Sequence, residues 1–147
     1  MPRSDELLVF RGGRRLPRRP LRLFAEQIRR QVAGGGRFLC LLAGDRELRR
    51  LNRQFLGKDC PTDVLSFPEP GPDRFLGEIA ISVDRARLQA VALGHTLEQE
   101  IQLLMLHGLL HLAGMDHATD RGRMARAETR WRKKLGLPSG LIERARS

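Results

Sequence analysis

The residues best suited to chemistry in this 147-residue chain stand together between His107 and His117, in the run H-G-L-L-H-L-A-G-M-D-H. Three of the four histidines fall in these eleven positions, spaced H-x-x-x-H-x-x-G-x-x-H. On an α-helix, positions i and i+4 lie one above the other, so His107 and His111 can aim two imidazoles at one point. Gly114 tolerates the left-handed backbone that ends helices, and the turn it permits can bring His117 back as a third donor. Three imidazoles with a fourth position open suit a catalytic cation rather than a sealed structural one. One zinc ion per chain is the first expectation, and nickel, copper or iron suit the same donors. The competing reading is a pair of core histidines. The flanking Leu103, Leu104, Met105, Leu106, Leu109, Leu110 and Leu112 imply a helix buried nearly all round. Two unpaired imidazoles inside it would cost about 1–3 kcal/mol each, a cost that one shared ion removes.

The position after the first histidine separates two chemistries. In the zinc-peptidase pattern H-E-x-x-H, that residue is a glutamate acting as general base. Here it is Gly108, which has no side chain to take a proton. The ligand spacing is that of a metzincin while its base is missing. A metallopeptidase with an unusual base stands as the alternative to the reading developed below.

These donors need a scaffold, and the apolar pattern supplies one. Glu6–Phe10 reads as a short strand, and Gly12-Gly13 and Pro17/Pro20 as loop. Leu21–Val32 has helical periodicity, and Arg37–Ala43 has the length and apolarity of a buried strand. Asp45–Phe55 reads as a helix. Val64–Phe67 and Leu76–Val83 read as strands joined by a Pro/Gly-rich turn short enough for a hairpin. Asp84–Leu93 is a helix stopped by Gly94. Thr96 and Gln99 form a capping-box signature for the long helix through about Ala113. Thr119 or Asp120 can cap a last helix with Met124, Ala127, Trp131 and Leu135 on one face. The expected fold is therefore α/β (α+β): a single domain, residues 1–147, with a roughly four-stranded mixed sheet and about five helices. The apolar helix carrying two metal-ligand histidines should pack centrally against the sheet.

Size and composition agree. The length suits one domain with its own core, and 41% hydrophobic with 30% charged residues is ordinary for a globular chain. No run of eighteen apolar residues suggests a membrane span, and the arginine- and acid-containing start does not read as a signal peptide. Two cysteines make no disulfide framework, Cys40 reading as a small buried residue; a reducing cytoplasm fits. The net charge is +10, and it is uneven: residues 1–30 and 120–147 each carry +6, while 31–119 carry −2. Clustered positive charge favours a polyanion such as nucleic acid. The bland alternative is solvated faces in an arginine-favouring genome, since only three of the 27 basic residues are lysine. With no tyrosine, platforms for base stacking are not evident.

Three blocks in order carry a family resemblance: Pro61-Thr62-Asp63-Val64-Leu65-Ser66-Phe67-Pro68, Leu76-Gly77-Glu78-Ile79-Ala80-Ile81-Ser82, and the histidine run. Together with Leu51-Asn52 upstream and Met124 and Glu128 downstream, they resemble the YbeY family of bacterial metal-dependent endoribonucleases and rRNA maturation factors, over about residues 45–135. The resemblance implies a single α/β domain, a zinc-like ion on His107, His111 and His117, and cleavage of single-stranded RNA. It implies roles in maturation of small-subunit ribosomal RNA and in ribosome quality control, with ribosomal RNA and the small ribosomal subunit as partners. One departure stands out. The family pattern L-N-x-x-[YF]-R-x-x-D has an arginine where this chain has Leu56, so Arg53 or Lys58 is expected to contact RNA instead, or phosphate is positioned differently.

A metal ion held this way polarises a phosphoryl oxygen or lowers the pKa of bound water toward about 7. The attacking group is that water or a ribose 2′-hydroxyl. Asp116, beside His117, is a candidate base or a partner orienting an imidazole; Asp63 is the other candidate. Backbone hydrogen bonding at a strand start explains Asp63 equally well. Ser66 suits packing or substrate contact, and His95 suits a surface or capping loop. A non-catalytic ribosome-assembly factor with a structural metal is the remaining rival.

Overall fold

In the computed structural model, residues 7–11 and 15–145 are described. The expected strand start at Glu6 and the Gly12-Gly13 loop lie outside them. Four strands form one sheet: β1 (Leu8–Phe10), β2 (Arg37–Ala43), β3 (Val64–Pro68) and β4 (Phe75–Ser82), in spatial order β1-β2-β4-β3. β1, β2 and β4 run parallel, and β3 pairs antiparallel with β4 as the predicted hairpin, with Ser66 opposite Ile79. β3 is therefore an edge strand.

Six helices accompany the sheet: α1 (Arg18–Gln31), α2 (Asp45–Leu56), α3 (Val83–Leu93), α4 (Leu97–Leu112), α5 (Arg123–Lys134) and α6 (Leu141–Ala145). The sixth is one more than expected. It is a single short turn after Pro138-Ser139-Gly140, and five residues carry no readable periodicity. Among the described residues, no helix is long and apolar enough to cross a membrane.

Strand alternation decides which face is covered by what. Phe38, Cys40, Leu42, Ile79 and Ile81 point to one face and join Leu21, Phe24 and Ile28 of α1 and Ile101, Leu104 and Met105 of α4 in the main core. Burial in that core pushes the Cys40 thiol pKa up, so it stays a neutral apolar filler. The opposite face, with Leu65 and Ala80, packs on Leu48 of α2.

α4 is buried nearly all round, as its apolar run implies. Thr96 Oγ1 accepts from the Gln99 amide while Gln99 Oε1 accepts from the Thr96 amide, both at 3.0 Å, so the capping box forms as read. Gly108 marks where this helix crosses the sheet. A Cβ there would stand 2.8 Å from Cγ2 of Ile79, so only glycine lets helix and strand approach this closely. Asp120 does serve α5: its Oδ2 accepts from the Met124 amide at 2.9 Å.

One expectation is corrected. His95 is not a surface residue. Its Nε2 lies 2.7 Å from Oε1 of the fully buried Glu100, and Arg144 of α6 holds the same carboxylate at 2.8 and 2.6 Å. Burying a carboxylate is tolerable only with such partners, so this cluster pins the C-terminal helix to the start of α4.

Candidate metal centre

α4 delivers the first two imidazoles. His107 and His111 stand one turn apart, their ring centroids separated by 4.8 Å. The helix then ends at Leu112, and Gly114 turns the chain with φ +92°, a conformation open chiefly to glycine. The following loop brings the His117 ring to 5.7 Å from each of the other two. One donor nitrogen from each ring lies within 4.8 Å of the others. An ion with imidazole bonds of about 2.0–2.1 Å sits among donors roughly 3.3 Å apart in a tetrahedron.

The outer partners fix which nitrogen faces inward. His107 Nδ1 lies 2.7 Å from Oε2 of Glu128, and the other oxygen of that carboxylate accepts from the Ile142 amide at 2.8 Å. Glu128 is 1% exposed. It has room because Gly140 presses against it, where a Cβ would overlap the carboxylate. His111 Nδ1 lies 3.0 Å from the carbonyl oxygen of Met115. Carboxylate and carbonyl both demand a proton on Nδ1, which leaves Nε2 of each ring as a lone-pair donor. Burial, with His107 beside it, pushes the His111 pKa below the usual histidine value, and a neutral ring is what a metal requires. The donor type of all three rings, the tautomers of His107 and His111 and the lowered pKa of His111 fit a divalent cation.

The other residues read from sequence fall around this centre in two groups. Ser66 of β3 donates from Oγ to the Gly108 carbonyl at 3.2 Å, and with Val64 and Pro68 it walls a cleft of about 410 Å³ opening on His107, His111 and Asp116. Asp116 Oδ1 accepts from the Ala118 amide at 3.0 Å, and its Oδ2 from Thr119 Oγ1 at 3.4 Å, which shapes the loop carrying His117. Asp63 Oδ1 accepts from the Val64 amide and its Oδ2 from Gln89 Nε2, at 2.8 and 3.2 Å. It lines a second cleft that also reaches His107 and His117. Arg53 and Lys58 are apart from these: they are exposed at the end of α2 and line neither cleft. Leu56 is also exposed there, beside Phe55, whose ring packs edge-on against Phe67 at 5.5 Å.

Gly108 leaves no carboxylate at the position of the peptidase base, and a Cβ there would press on Ile79 at 2.8 Å. Sequence reasoning missed Glu128 as the partner of His107. Its i, i+4 spacing from Met124 on an otherwise basic helix was the available signal.

Fold and site together define a mixed α/β domain whose buried central helix and following loop bring together three histidines able to hold a metal ion. The family model for "Endoribonuclease YbeY" matches residues 21–136. The endoribonuclease YbeY of Solibacter usitatus is 58% identical over 146 residues, covering 99% of this chain and 98% of its own. That of Koribacter versatilis is 49% identical over 124 residues, covering 84% and 81%. A solution structure of a Thermotoga maritima protein superposes with a TM-score of 0.61 at 30% identity, covering 85% of this chain and 86% of that one. This chain belongs to the endoribonuclease YbeY family.

Proposed function

We propose that the chain is a zinc-dependent endoribonuclease that cuts single-stranded RNA in the maturation of small-subunit ribosomal RNA and in ribosome quality control. Residues 1–147 act as one such domain, with one ion per chain, in the cytoplasm, where the unpaired Cys40 and Cys60 stay reduced. The observation that carries this reading is the convergence of three imidazoles whose inward nitrogens are set by outer partners, in a chain of this family.

When bound, the ion supplies Lewis acidity toward a phosphoryl oxygen and lowers the pKa of water. The chain does the rest. Glu128 and the Met115 carbonyl hold the Nδ1 protons of His107 and His111, so neither ring turns away from the centre. Asp116 and Asp63 flank the centre on its two cleft walls. In this reading these carboxylates accept the proton of the attacking hydroxyl, whether from water or a ribose 2′ position. Ser66 borders the substrate path beside His107, while Arg53 and Lys58 meet RNA farther out, near the position where the family pattern has its arginine.

His117→Ala tests this best, because the side chain is exposed and removing it disturbs no packing. Zinc-loaded wild type should cut labelled single-stranded RNA and leave casein intact, and His117→Ala should lose cleavage while melting like metal-free wild type. Equal RNA processing by both proteins would favour the non-catalytic assembly factor and overturn the proposal.

A further inference from the structure

A cleft of about 820 Å³ begins at His117 and runs along α5, lined by Arg121, Arg126, Arg130 and Lys133. Positions 126, 130 and 133 follow an i, i+4, i+7 spacing, so three cations share one stripe of the helix. Like charges this close destabilise a helix by about 0.2–0.5 kcal/mol per pair. Among the described residues, the only carboxylate in the lining is Glu143, and Arg132, outside the cleft, already holds it at 2.9 and 3.0 Å. The helix's own acid, Glu128, faces away toward His107. Arg126 donates from Nη1 to the Arg121 carbonyl at 3.2 Å. The lining contains no Phe or Trp ring, so the cleft is built to meet a charged backbone rather than stacked bases. At the other candidate position, Leu56 cannot hold a phosphate.

The geometry points to this α5 stripe as the seat of the ribose-phosphate backbone of single-stranded RNA, which enters along Lys133, Arg130, Arg126 and Arg121 and delivers a phosphodiester to His117. The inference rests on the endoribonuclease reading and adds the binding path to it. From Arg126 to Lys133 the helix rises about 10 Å, enough for roughly two successive phosphates. Arg18, Arg19 and Arg22 of α1 do not line this cleft.

The test is the salt dependence of kcat/KM for a labelled single-stranded RNA, measured from 50 to 300 mM KCl with the zinc-loaded full chain. Three proteins are compared: wild type, Arg126→Ala/Arg130→Ala, and Arg19→Ala/Arg22→Ala, which removes equal charge from α1. Each lost phosphate contact on a single strand flattens the log–log slope by about 0.7. The α5 variant should therefore have a slope shallower by about 1.4, and at 0.1 M salt a kcat/KM lower by roughly 25-fold. The α1 variant should match wild type. If the α5 variant keeps the wild-type slope, or the α1 variant flattens it as much, the assigned path is wrong while the endoribonuclease reading stands. If wild type cuts no RNA, both fall.

Discussion

Replacing Glu128 by glutamine isolates what the buried carboxylate does for the metal centre. The carboxylate accepts two hydrogen bonds at once, from His107 Nδ1 at 2.7 Å and from the Ile142 amide at 2.8 Å. Glutamine has nearly the same shape but only one accepting oxygen. If that oxygen stays on Ile142, the amide nitrogen meets His107 Nδ1–H donor to donor. The imidazole then moves its proton to Nε2, which takes away the lone pair meant for the metal, or leaves a buried donor unpaired at about 1–3 kcal/mol. If the amide flips, the Ile142 amide and the docking of α6 suffer instead. Lost outer-shell support of this kind weakens metal affinity about 10–100-fold, or about 1.4–2.7 kcal/mol. Titrating metal-free protein with zinc against a chromophoric chelator reads this directly. A Glu128→Gln zinc Kd within twofold of wild type would refute the reasoning, because an outward-facing proton on His107 would then owe nothing to Glu128.

Other consequences follow from single contacts. Gly108→Ala gains about 1 kcal/mol of helix propensity, but its Cβ meets the fully packed Ile79 at 2.8 Å, and overpacking costs about 1–3 kcal/mol; a modest net fall in Tm by calorimetry is expected, and a rise would contradict the packing. Glu100→Gln removes the charge that both Arg144 and His95 face in the interior, and should lower stability by about 3–5 kcal/mol in urea unfolding. Arg132 holds the Glu143 carboxyl at about 2, below its ordinary 4.5. Because the folded value is the lower one, this contribution is complete above about pH 4.5 and fades as pH falls toward 2. Glu143→Gln should therefore flatten the drop in urea midpoint across that window, and an unchanged profile would place the acid sensitivity elsewhere.

The parts of the molecule written in local spacing were legible. The i, i+4 histidines and the glycine after them fixed the metal trio, because a helix and one turn settle their relative positions. The capping box and the hairpin were readable for the same reason. What stayed hidden depends on tertiary contact. Glu128 lies 21 residues from His107, and its place on the apolar stripe of α5 does not say which residue it meets. His95 does stand in the loop before α4, but its burial was hidden because its partner Glu100 is also held by the distant Arg144. Helix α6 is too short for periodicity and exists because Arg144 and Ile142 are anchored elsewhere. Among the described residues, the basic side chains lining the cleft at His117 come from the C-terminal end, a grouping that charge by itself does not show.

Everything turns on how three imidazoles meet one ion. X-ray absorption at the zinc edge of the reconstituted protein measures this directly. The account predicts three imidazole nitrogens at about 2.0–2.1 Å and one light, non-protein oxygen. A fourth protein ligand, a sulfur at about 2.3 Å, or fewer than three imidazoles would contradict it.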